Sequence, residues 1–459
     1  MIKYIRKRGR MHANSVPPEE SEMERKVGIL TLGCKVNQYE SEAIAEECER
    51  LGLSVCSADE VCDVYIVNTC TVTAEADRKS CQMIRQLARR NPDAPVIVAG
   101  CTSQRDPARV AALPGVAAVI GNAGKLRAAK LAAELTSNRG PAVTLTERPD
   151  SAGFEKMTLS SFPRTRRYLK IEDGCNRSCS YCAIRGARGK VRSKPADEVI
   201  REAVSFCEAG CREIVLTGIE IASYGADIPG VSLGRLLKEL DSVCAGSGVR
   251  FRLSSLDPSL FLGGFPDAVS GLPSLARHFH LSVQSGSGAV LAAMRRGYNA
   301  EQLHRALSRA AGIFPGTMFS GDFIVGFPGE TESDFENTRD VIREFPFIGA
   351  HVFPFSSRAG TPAASMAGKI PPEVKKARVA LLYSDAAKKR RELLDGLTGE
   401  ILPVLFETSD GCRRTGHSDN FAEVTVESPE DLHGRIVLCR VTGNDGTVCH
   451  AVPCVGDER

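Results

Sequence analysis

Short apolar runs alternate with amphipathic stretches through the first part of the chain. The runs lie at 27–31, 64–68 and 96–100, and helix-like stretches occupy 40–51 and 74–90. Apolar runs of this length, bounded by glycine or polar residues, predict buried strands. Because strands and helices alternate, the pattern favours a parallel α/β sheet. We therefore predict an N-terminal α/β domain over residues 25–136, preceded by a disordered leader over residues 1–24.

A second alternating region follows residues 137–160, which lack periodicity and are predicted to be a linker. Six strand-like runs lie within residues 161–395, at 168–171, 213–217, 250–254, 280–284, 321–325 and 351–355. Six β/α units predict an open or partial (β/α)6 barrel. In barrels of this kind the chemistry lies at the carboxyl ends of the strands.

The last part of the chain changes character. Residues 397–456 carry short strand-like runs separated by turns, at 401–406, 422–426, 435–441 and 447–452. This pattern predicts a small all-β barrel. The predicted fold class is therefore α/β, with a parallel N-terminal domain, a partial barrel and a C-terminal β-barrel.

Composition places the chain among ordinary globular proteins, with 42% hydrophobic and 25% charged residues and a net charge of +3. It contains no run of about 18 apolar residues, so we expect no membrane-spanning helix. The N-terminus shows no apolar export signal. There are 17 cysteines, and in a reducing compartment they are expected to serve as metal-ligating thiolates. We therefore expect a cytoplasmic protein.

Three cysteines, Cys175, Cys179 and Cys182, are spaced C-x3-C-x2-C directly after a predicted strand. Thiolates at this spacing can bind three irons of one [4Fe–4S] cluster and leave the fourth iron open for a small chelating molecule. Tyr181 precedes the third cysteine and could pack against that molecule. A zinc site is the alternative, but zinc normally takes four ligands, and no fourth cysteine or histidine lies nearby.

Three further cysteines, Cys34, Cys70 and Cys101, each stand just past a predicted strand. The carboxyl ends of parallel strands converge on one crevice, so these thiols could meet there. The alternative is three buried cysteines with no shared role. The remaining cysteines of this domain lack that placement and are expected to be ordinary core or surface residues: Cys48, Cys56, Cys62 and Cys81.

The cysteine loop at the end of the first barrel strand resembles that of the radical-SAM superfamily. The resemblance implies that S-adenosylmethionine is cleaved by one electron to a 5′-deoxyadenosyl radical, with the protein supplying orientation and exclusion of water. It also places cofactor-binding residues at the strand ends, although a tight turn would explain each of them equally well. The residues so predicted are Tyr181, Thr217, Gly218, Ser254, Ser255, Gln284 and Gly326.

The sequences Gly33-Cys34, Asn68-Thr69-Cys70 and Gly100-Cys101 resemble the N-terminal domain of the methylthiotransferases, and the final β-barrel resembles their TRAM domain. The resemblance implies two [4Fe–4S] clusters, the N-terminal one holding the sulfur to be inserted. Residues 31–42 resemble the branch that acts on N6-threonylcarbamoyladenosine in tRNA. The implied partners are the tRNA anticodon loop, an electron donor such as a flavodoxin or ferredoxin, and a sulfur donor, with no membrane partner.

Local charge supports a polyanionic substrate. Residues 164–194 contain ten Lys/Arg against two acids, a density that suits phosphate contacts, although a solvated basic loop would look the same. Four residues of this segment are predicted to bind RNA: Arg185, Arg188, Lys190 and Arg192. By contrast, residues 397–459 hold five Lys/Arg against eleven Asp/Glu, a net charge of −6.

Other functions remain open. The same chemistry could act on isopentenyladenosine in tRNA or on an aspartate of a ribosomal protein. The chain could also be a radical-SAM enzyme of another type, in which the N-terminal cysteines have no role. A non-enzymatic iron–sulfur electron carrier is disfavoured, because it needs neither an open iron nor a barrel with glycine-edged strands.

Overall fold

The computed structural model describes residues 25–135, 142–151, 153–160 and 165–458. The predicted leader and part of the predicted linker therefore lie outside the described residues. The chain forms two compact units. Of the described residues, the N-terminal unit contains those within 1–163, 174–176 and 183–190, and the C-terminal unit contains those within 164–173, 177–182 and 191–459.

The N-terminal unit is built on a six-stranded parallel sheet in the order β2-β1-β3-β4-β5-β6. Its strands are β1 (Lys26–Thr31), β2 (Ser54–Ser57), β3 (Val64–Thr69), β4 (Val96–Gly100), β5 (Val116–Ile120) and β6 (Val143–Leu145). Its helices are α1 (Lys35–Arg50), α2 (Ala74–Arg90), α3 (Cys101–Arg105), α4 (Pro107–Ala111), α5 (Arg127–Glu134) and α6 (Ile184–Arg188). The parallel α/β fold predicted for this part of the chain is confirmed.

The central strands of this sheet are buried on both faces. Every residue of β3, β4 and β5 is buried, as expected for parallel strands that carry helices on either side. Neighbouring residues enter opposite cores because side chains alternate along a strand: Val67 packs with Ile84 of α2 on one face, and Ile66 packs with Ile44 of α1 on the other.

Two features of this unit differ from the prediction. Helix α1 begins at Lys35, directly after Cys34, and not near residue 40. The predicted linker also packs against the unit, since β6 pairs with β5 and the Tyr39 hydroxyl donates a 2.7 Å hydrogen bond to the Met157 carbonyl. Its described residues are therefore part of a folded unit.

The C-terminal unit contains a six-stranded parallel sheet in the order β14-β13-β12-β11-β10-β7, beside a two-stranded antiparallel pair, β8-β9. These strands are β7 (Arg166–Lys170), β8 (Glu172–Asp173), β9 (Arg192–Ser193), β10 (Glu213–Thr217), β11 (Arg250–Leu256), β12 (Leu275–Gln284), β13 (Met318–Val325) and β14 (Phe347–Pro354). The helices are α7 (Ala196–Glu208), α8 (Leu233–Val243), α9 (Phe265–Val269), α10 (Gly288–Ala293), α11 (Ala300–Ile313), α12 (Glu332–Glu344) and α13 (Pro372–Asp395). The predicted partial barrel of six β/α units is confirmed.

A closed five-stranded barrel, β15-β16-β17-β19-β18, completes this unit, and it too confirms the prediction. Its strands are β15 (Ile401–Asp410), β16 (Arg413–His417), β17 (Glu423–Glu427), β18 (Ile436–Asn444) and β19 (Cys449–Glu458). Two buried arginines of β11 tie the barrel to the parallel sheet: Arg250 donates to the Pro403 carbonyl at 3.0 Å and Arg252 to the Asp419 carbonyl at 2.9 Å. Both guanidinium groups also pair with buried Glu213 of β10.

Across the described ranges, no helix combines the length and apolarity needed to cross a membrane.

Candidate metal centres

Cys34, Cys70 and Cys101 stand at one edge of the N-terminal sheet. They follow β1, β3 and β4, which are neighbours in the sheet, so these strand ends lie side by side. The turn before Cys34 approaches Cys70 closely. A side-chain carbon on Gly33 would lie 2.7 Å from the Cys70 Cβ, and Gly33 has a φ of +115°, so only glycine fits there without strain.

The three thiols lie within electrostatic range of one another. The pKa of Cys70 is raised to about 12, mainly by burial and in part by negative charge on Cys101 or Cys34. Cys70 and Cys101 are buried and Cys34 is exposed. Three thiols that disfavour each other's ionisation become thiolates when they share a metal centre. The group therefore fits a metal cluster, with the exposed Cys34 on its open side.

Asparagine side chains surround these thiols. The Cys34 thiol donates to the Asn37 Oδ1 atom at 3.4 Å, and the Asn37 amide donates to the Thr69 carbonyl at 2.9 Å. The Cys101 Sγ atom lies 3.9 Å from the Asn122 Oδ1 atom. Sequence reasoning found the cysteines but missed Asn122, because it follows β5, a strand that was not predicted.

Arg188 also reaches this group. Its side chain is fully buried, and its Nε atom donates to the Cys101 Sγ atom at 3.3 Å. The predicted RNA contact of Arg188 does not fit this position, because a fully buried guanidinium cannot reach a phosphate. Arg185 and Lys190 are exposed, and Arg192 is half-buried beside Asp173, 3.6 Å away. For these three residues RNA binding stays a prediction.

The C-x3-C-x2-C loop follows β8, and all three of its cysteines are half-buried. Cys175 belongs to the N-terminal unit, where its backbone N–H donates to the Gly189 carbonyl at 3.0 Å. Cys179 and Cys182 belong to the C-terminal unit. There the Cys182 N–H donates to the Cys179 carbonyl at 3.1 Å, and the Arg296 Nη1 atom lies 3.6 Å from the Cys179 Sγ atom. Thiols of this kind are suitable ligands for iron.

Two buried carboxylates lie at the carboxyl end of β10, next to Thr217 and Gly218. The Glu220 N–H donates to the Glu172 Oε2 atom at 2.7 Å, and a side-chain carbon on Gly218 would lie 2.6 Å from the same oxygen. The pKa of Glu220 is raised to about 7, mainly by burial and in part by the negative charge of nearby Asp257. Burial also raises the pKa of Glu172 well above its ordinary value. Burial therefore disfavours the charged form of both carboxyls, although the Glu220 Oε2 atom lies 3.5 Å from the Arg177 Nε atom.

Among the residues that the structure describes, the buried Oε1 atoms of Glu172 and Glu220 and the Oγ atom of Ser254 have no hydrogen-bond partner. Unsatisfied buried polar atoms are uncommon in native proteins and indicate an unseen ligand or water. The α-ammonium group of S-adenosylmethionine supplies three N–H donors and one positive charge. The acceptors at this edge therefore fit that cofactor.

A buried ion-pair group links this edge to the cysteine loop. Asp257, which follows β11, pairs with Arg177 at 3.0 Å and with Arg296 at 2.6 Å. Arg296 is thereby held with its other terminal nitrogen toward Cys179. Sequence reasoning missed Glu172, Glu220, Asp257 and Arg296, because their grouping depends on which strands are neighbours.

The other predicted cofactor residues also lie at strand ends. Tyr181 packs against Val290, Met294 and Phe327. Ser255 is half-buried in β11, Gln284 ends β12 with a φ of +69°, and Gly326 follows β13 with a φ of +72°. A positive φ at a buried glutamine is strained and marks functional sites more often than ordinary turns. Their contact with the cofactor stays a prediction.

Comparison with known proteins shows the family to which the chain belongs. Residues 26–121 match the family described as "Uncharacterized protein family UPF0004", and residues 169–342 match the radical SAM superfamily. Among solved structures, the radical S-adenosylmethionine methyltransferase TsrM from Kitasatospora setae resembles the chain with a TM-score of 0.54. It is 16% identical and covers 74% of this chain and 77% of its own. That likeness shows the fold alone.

Two curated relatives are both named threonylcarbamoyladenosine tRNA methylthiotransferase MtaB. The protein of Bacillus subtilis (strain 168) is 37% identical over 421 residues, which cover 90% of this chain and 93% of the relative. The protein of Thermotoga maritima is 39% identical over 382 residues, which cover 83% and 86%. The chain therefore belongs to the radical-SAM methylthiotransferase family, in the branch that contains these two relatives.

Proposed function

We propose that this chain converts N6-threonylcarbamoyladenosine, next to the anticodon of tRNA, to its 2-methylthio derivative. The observation that carries the proposal is the meeting of Cys34, Cys70 and Cys101 at one sheet edge of a chain that also carries the C-x3-C-x2-C loop. Radical formation alone requires only the loop. A second group of three thiols supplies a place for the sulfur that this reaction inserts.

Two sets of cysteines would hold two [4Fe–4S] clusters. Cys175, Cys179 and Cys182 would bind the first together with S-adenosylmethionine, which supplies a 5′-deoxyadenosyl radical when bound. Cys34, Cys70 and Cys101 would bind the second. Each set has three thiolates for four irons, so each would leave one iron open to a further ligand.

The residues around the loop would orient the cofactor. The Oε1 atoms of Glu172 and Glu220 would accept hydrogen bonds from its α-ammonium group, and the Ser254 hydroxyl would serve a second polar atom. The apolar group around Tyr181 would exclude water from the reactive centre. Exclusion of water protects a radical and strengthens the ionic contacts.

The proposed substrate places the reaction in the cytoplasm and requires three partners: tRNA, an external electron donor such as a flavodoxin or ferredoxin, and a sulfur donor. Exposed Arg185 and Lys190 offer positive charge to the RNA backbone. The final barrel, with its net charge of −6, is the less favourable surface for a polyanion.

The direct test is nucleoside mass analysis of tRNA from a strain that lacks the gene, complemented with the wild-type chain or with Cys101→Ala. We expect the 2-methylthio derivative to vanish in the deletion strain while N6-threonylcarbamoyladenosine accumulates, and only the wild-type chain should restore it. Loss of methylthio-isopentenyladenosine, or of a methylthio group on a ribosomal protein, would replace the proposed substrate with one of those alternatives.

A further inference from the structure

Arg188 occupies an unusual position for a residue in a basic segment. It is the last residue of α6, six residues after Cys182, and its side chain is fully buried beside Cys101. The Nε atom donates to the Cys101 Sγ atom at 3.3 Å and the Nη2 atom to the Asn37 Oδ1 atom at 2.8 Å. One guanidinium therefore contacts a candidate cluster ligand and the asparagine that holds a second one, Cys34.

Surrounding groups fix the guanidinium in place. Both carboxylate oxygens of Glu40 accept hydrogen bonds from the guanidinium, Oε1 from Nη1 at 2.6 Å and Oε2 from Nη2 at 3.2 Å. This bidentate geometry fixes the orientation of the arginine. The Asn122 amide donates to the Ala187 carbonyl at 2.8 Å and so anchors the preceding residue. The Nε–H is thus left directed at sulfur.

Two fully buried cations meet at Glu40. Lys125 and Arg188 both pair with its carboxylate. A [4Fe–4S] cluster held by three thiolates would carry net negative charge, which grows on reduction, so the positive charge of Arg188 beside Cys101 suits such a cluster.

We propose that Arg188 is a positioning residue for the N-terminal metal centre: its Nε–H and positive charge hold the Cys101 thiolate and favour the reduced cluster. The inference rests on the proposed function, in which Cys34, Cys70 and Cys101 bind a [4Fe–4S] cluster. Hydrogen bonds and positive charge near cluster sulfurs raise a reduction potential, because they stabilise the more negative state.

The test uses the full-length chain carrying Cys175→Ala, Cys179→Ala and Cys182→Ala, so that the N-terminal cluster is observed alone. Into this parent we would place Arg188→Gln, Arg188→Lys or the control Arg50→Gln, a change at an exposed arginine of α1. Anaerobic redox titration followed by electron paramagnetic resonance gives the midpoint potential, and iron analysis gives occupancy. We expect Arg188→Gln to shift the potential negatively and to alter the g values. Arg188→Lys should shift it less, and the control should match the parent.

Each outcome decides the proposal. Unchanged potential and g values at full iron content in Arg188→Gln would overturn it. If both Arg188 variants lose iron, the same two changes would be made in the chain that keeps Cys175, Cys179 and Cys182. Retention of about four irons at these cysteines would support the proposal. Loss of all iron would indicate general unfolding and would overturn it. A parent without iron would refute the N-terminal cluster itself, and the role of Arg188 with it.

Discussion

The two candidate centres obtain the same three thiolates in opposite ways. Cys175, Cys179 and Cys182 lie within eight consecutive residues, whereas Cys34, Cys70 and Cys101 come from the ends of three separate strands. A local loop shows its ligands through spacing alone, and a distributed site exists only once the sheet has formed. The N-terminal centre therefore depends on the folded sheet to bring its ligands together, and the loop depends on the rest of the fold to a smaller degree.

The charges around the centres differ as well. Buried Arg188 and Lys125 share Glu40 at the N-terminal centre, which suits an anionic cluster and its sulfur. The carboxylates Glu172 and Glu220 each keep an unsatisfied buried oxygen near the loop, within the part of the chain that the structure describes, which suits the ammonium group of the cofactor. The difference agrees with the proposal that the N-terminal centre holds the sulfur and the loop holds S-adenosylmethionine.

The largest effect should come from separating the two centres by mutation. Changing Cys34, Cys70 and Cys101 to alanine should abolish methylthiolation of tRNA while reductive cleavage of S-adenosylmethionine continues, because the loop ligands remain. Chromatography of 5′-deoxyadenosine and mass analysis of tRNA nucleosides measure the two activities. Cys48→Ala, at a buried cysteine of α1 outside the site, is the matched control and should keep both. Methylthiolation by the triple variant would assign the N-terminal thiols no role.

A smaller effect is expected from Glu220→Gln. Removing a charged acceptor of the cofactor ammonium should weaken S-adenosylmethionine binding by about 10- to 100-fold, the value of a hydrogen bond to a charged group. Equilibrium dialysis against the reconstituted protein measures the Kd, with Glu301→Gln, a change in the first turn of α11, as the control. An unchanged Kd would show that Glu220 does not face the cofactor.

The same carboxyl should make the cofactor-free protein sensitive to pH. The pKa of Glu220 is raised to about 7 in the folded state, so between its ordinary pKa and pH 7 the folded protein binds more protons than the unfolded one. Stability should therefore fall as pH rises through that window, by on the order of 1–3 kcal/mol. Thermal melting at pH 5 and pH 7.5 should show the fall in the wild type and a smaller one in Glu220→Gln. Equal falls would place the titrating group elsewhere.

The smallest effect concerns the surface of the basic segment. Arg185→Gln and Lys190→Gln should each weaken tRNA binding only a few-fold, and each should reduce the salt dependence of binding by about one unit of slope. Binding titrations at several salt concentrations measure both quantities. A slope that does not change would show that these exposed residues do not contact phosphates.

Much of the fold could be predicted from apolar runs. The runs at 64–68 and 96–100 correspond to β3 and β4, and the prediction of α2 at 74–90 is confirmed by Ala74–Arg90. The start of α1 was missed although Val36, Tyr39 and Ala43 have helical spacing and are buried, because polar residues separate them in this stretch. The strand β6 was missed because only three residues, Val143–Leu145, join the sheet.

The site could be predicted only where spacing or strand ends reveal it. Spacing revealed Cys175, Cys179 and Cys182, and placement at strand ends revealed Cys34, Cys70 and Cys101. Arg188 was assigned to RNA because sequence shows the charge of a segment but not the direction of each side chain. Glu172 and Glu220 were not found because their contact depends on packing between segments 48 residues apart.

The central claim, two separate clusters in one chain, is tested most directly by iron and sulfide analysis of the anaerobically reconstituted protein. Wild type would be compared with the variant in which Cys175, Cys179 and Cys182 are changed to alanine. We predict about eight irons in the wild type and about four in the variant. About four irons falling to none would contradict the account, because the N-terminal thiols would then hold no cluster.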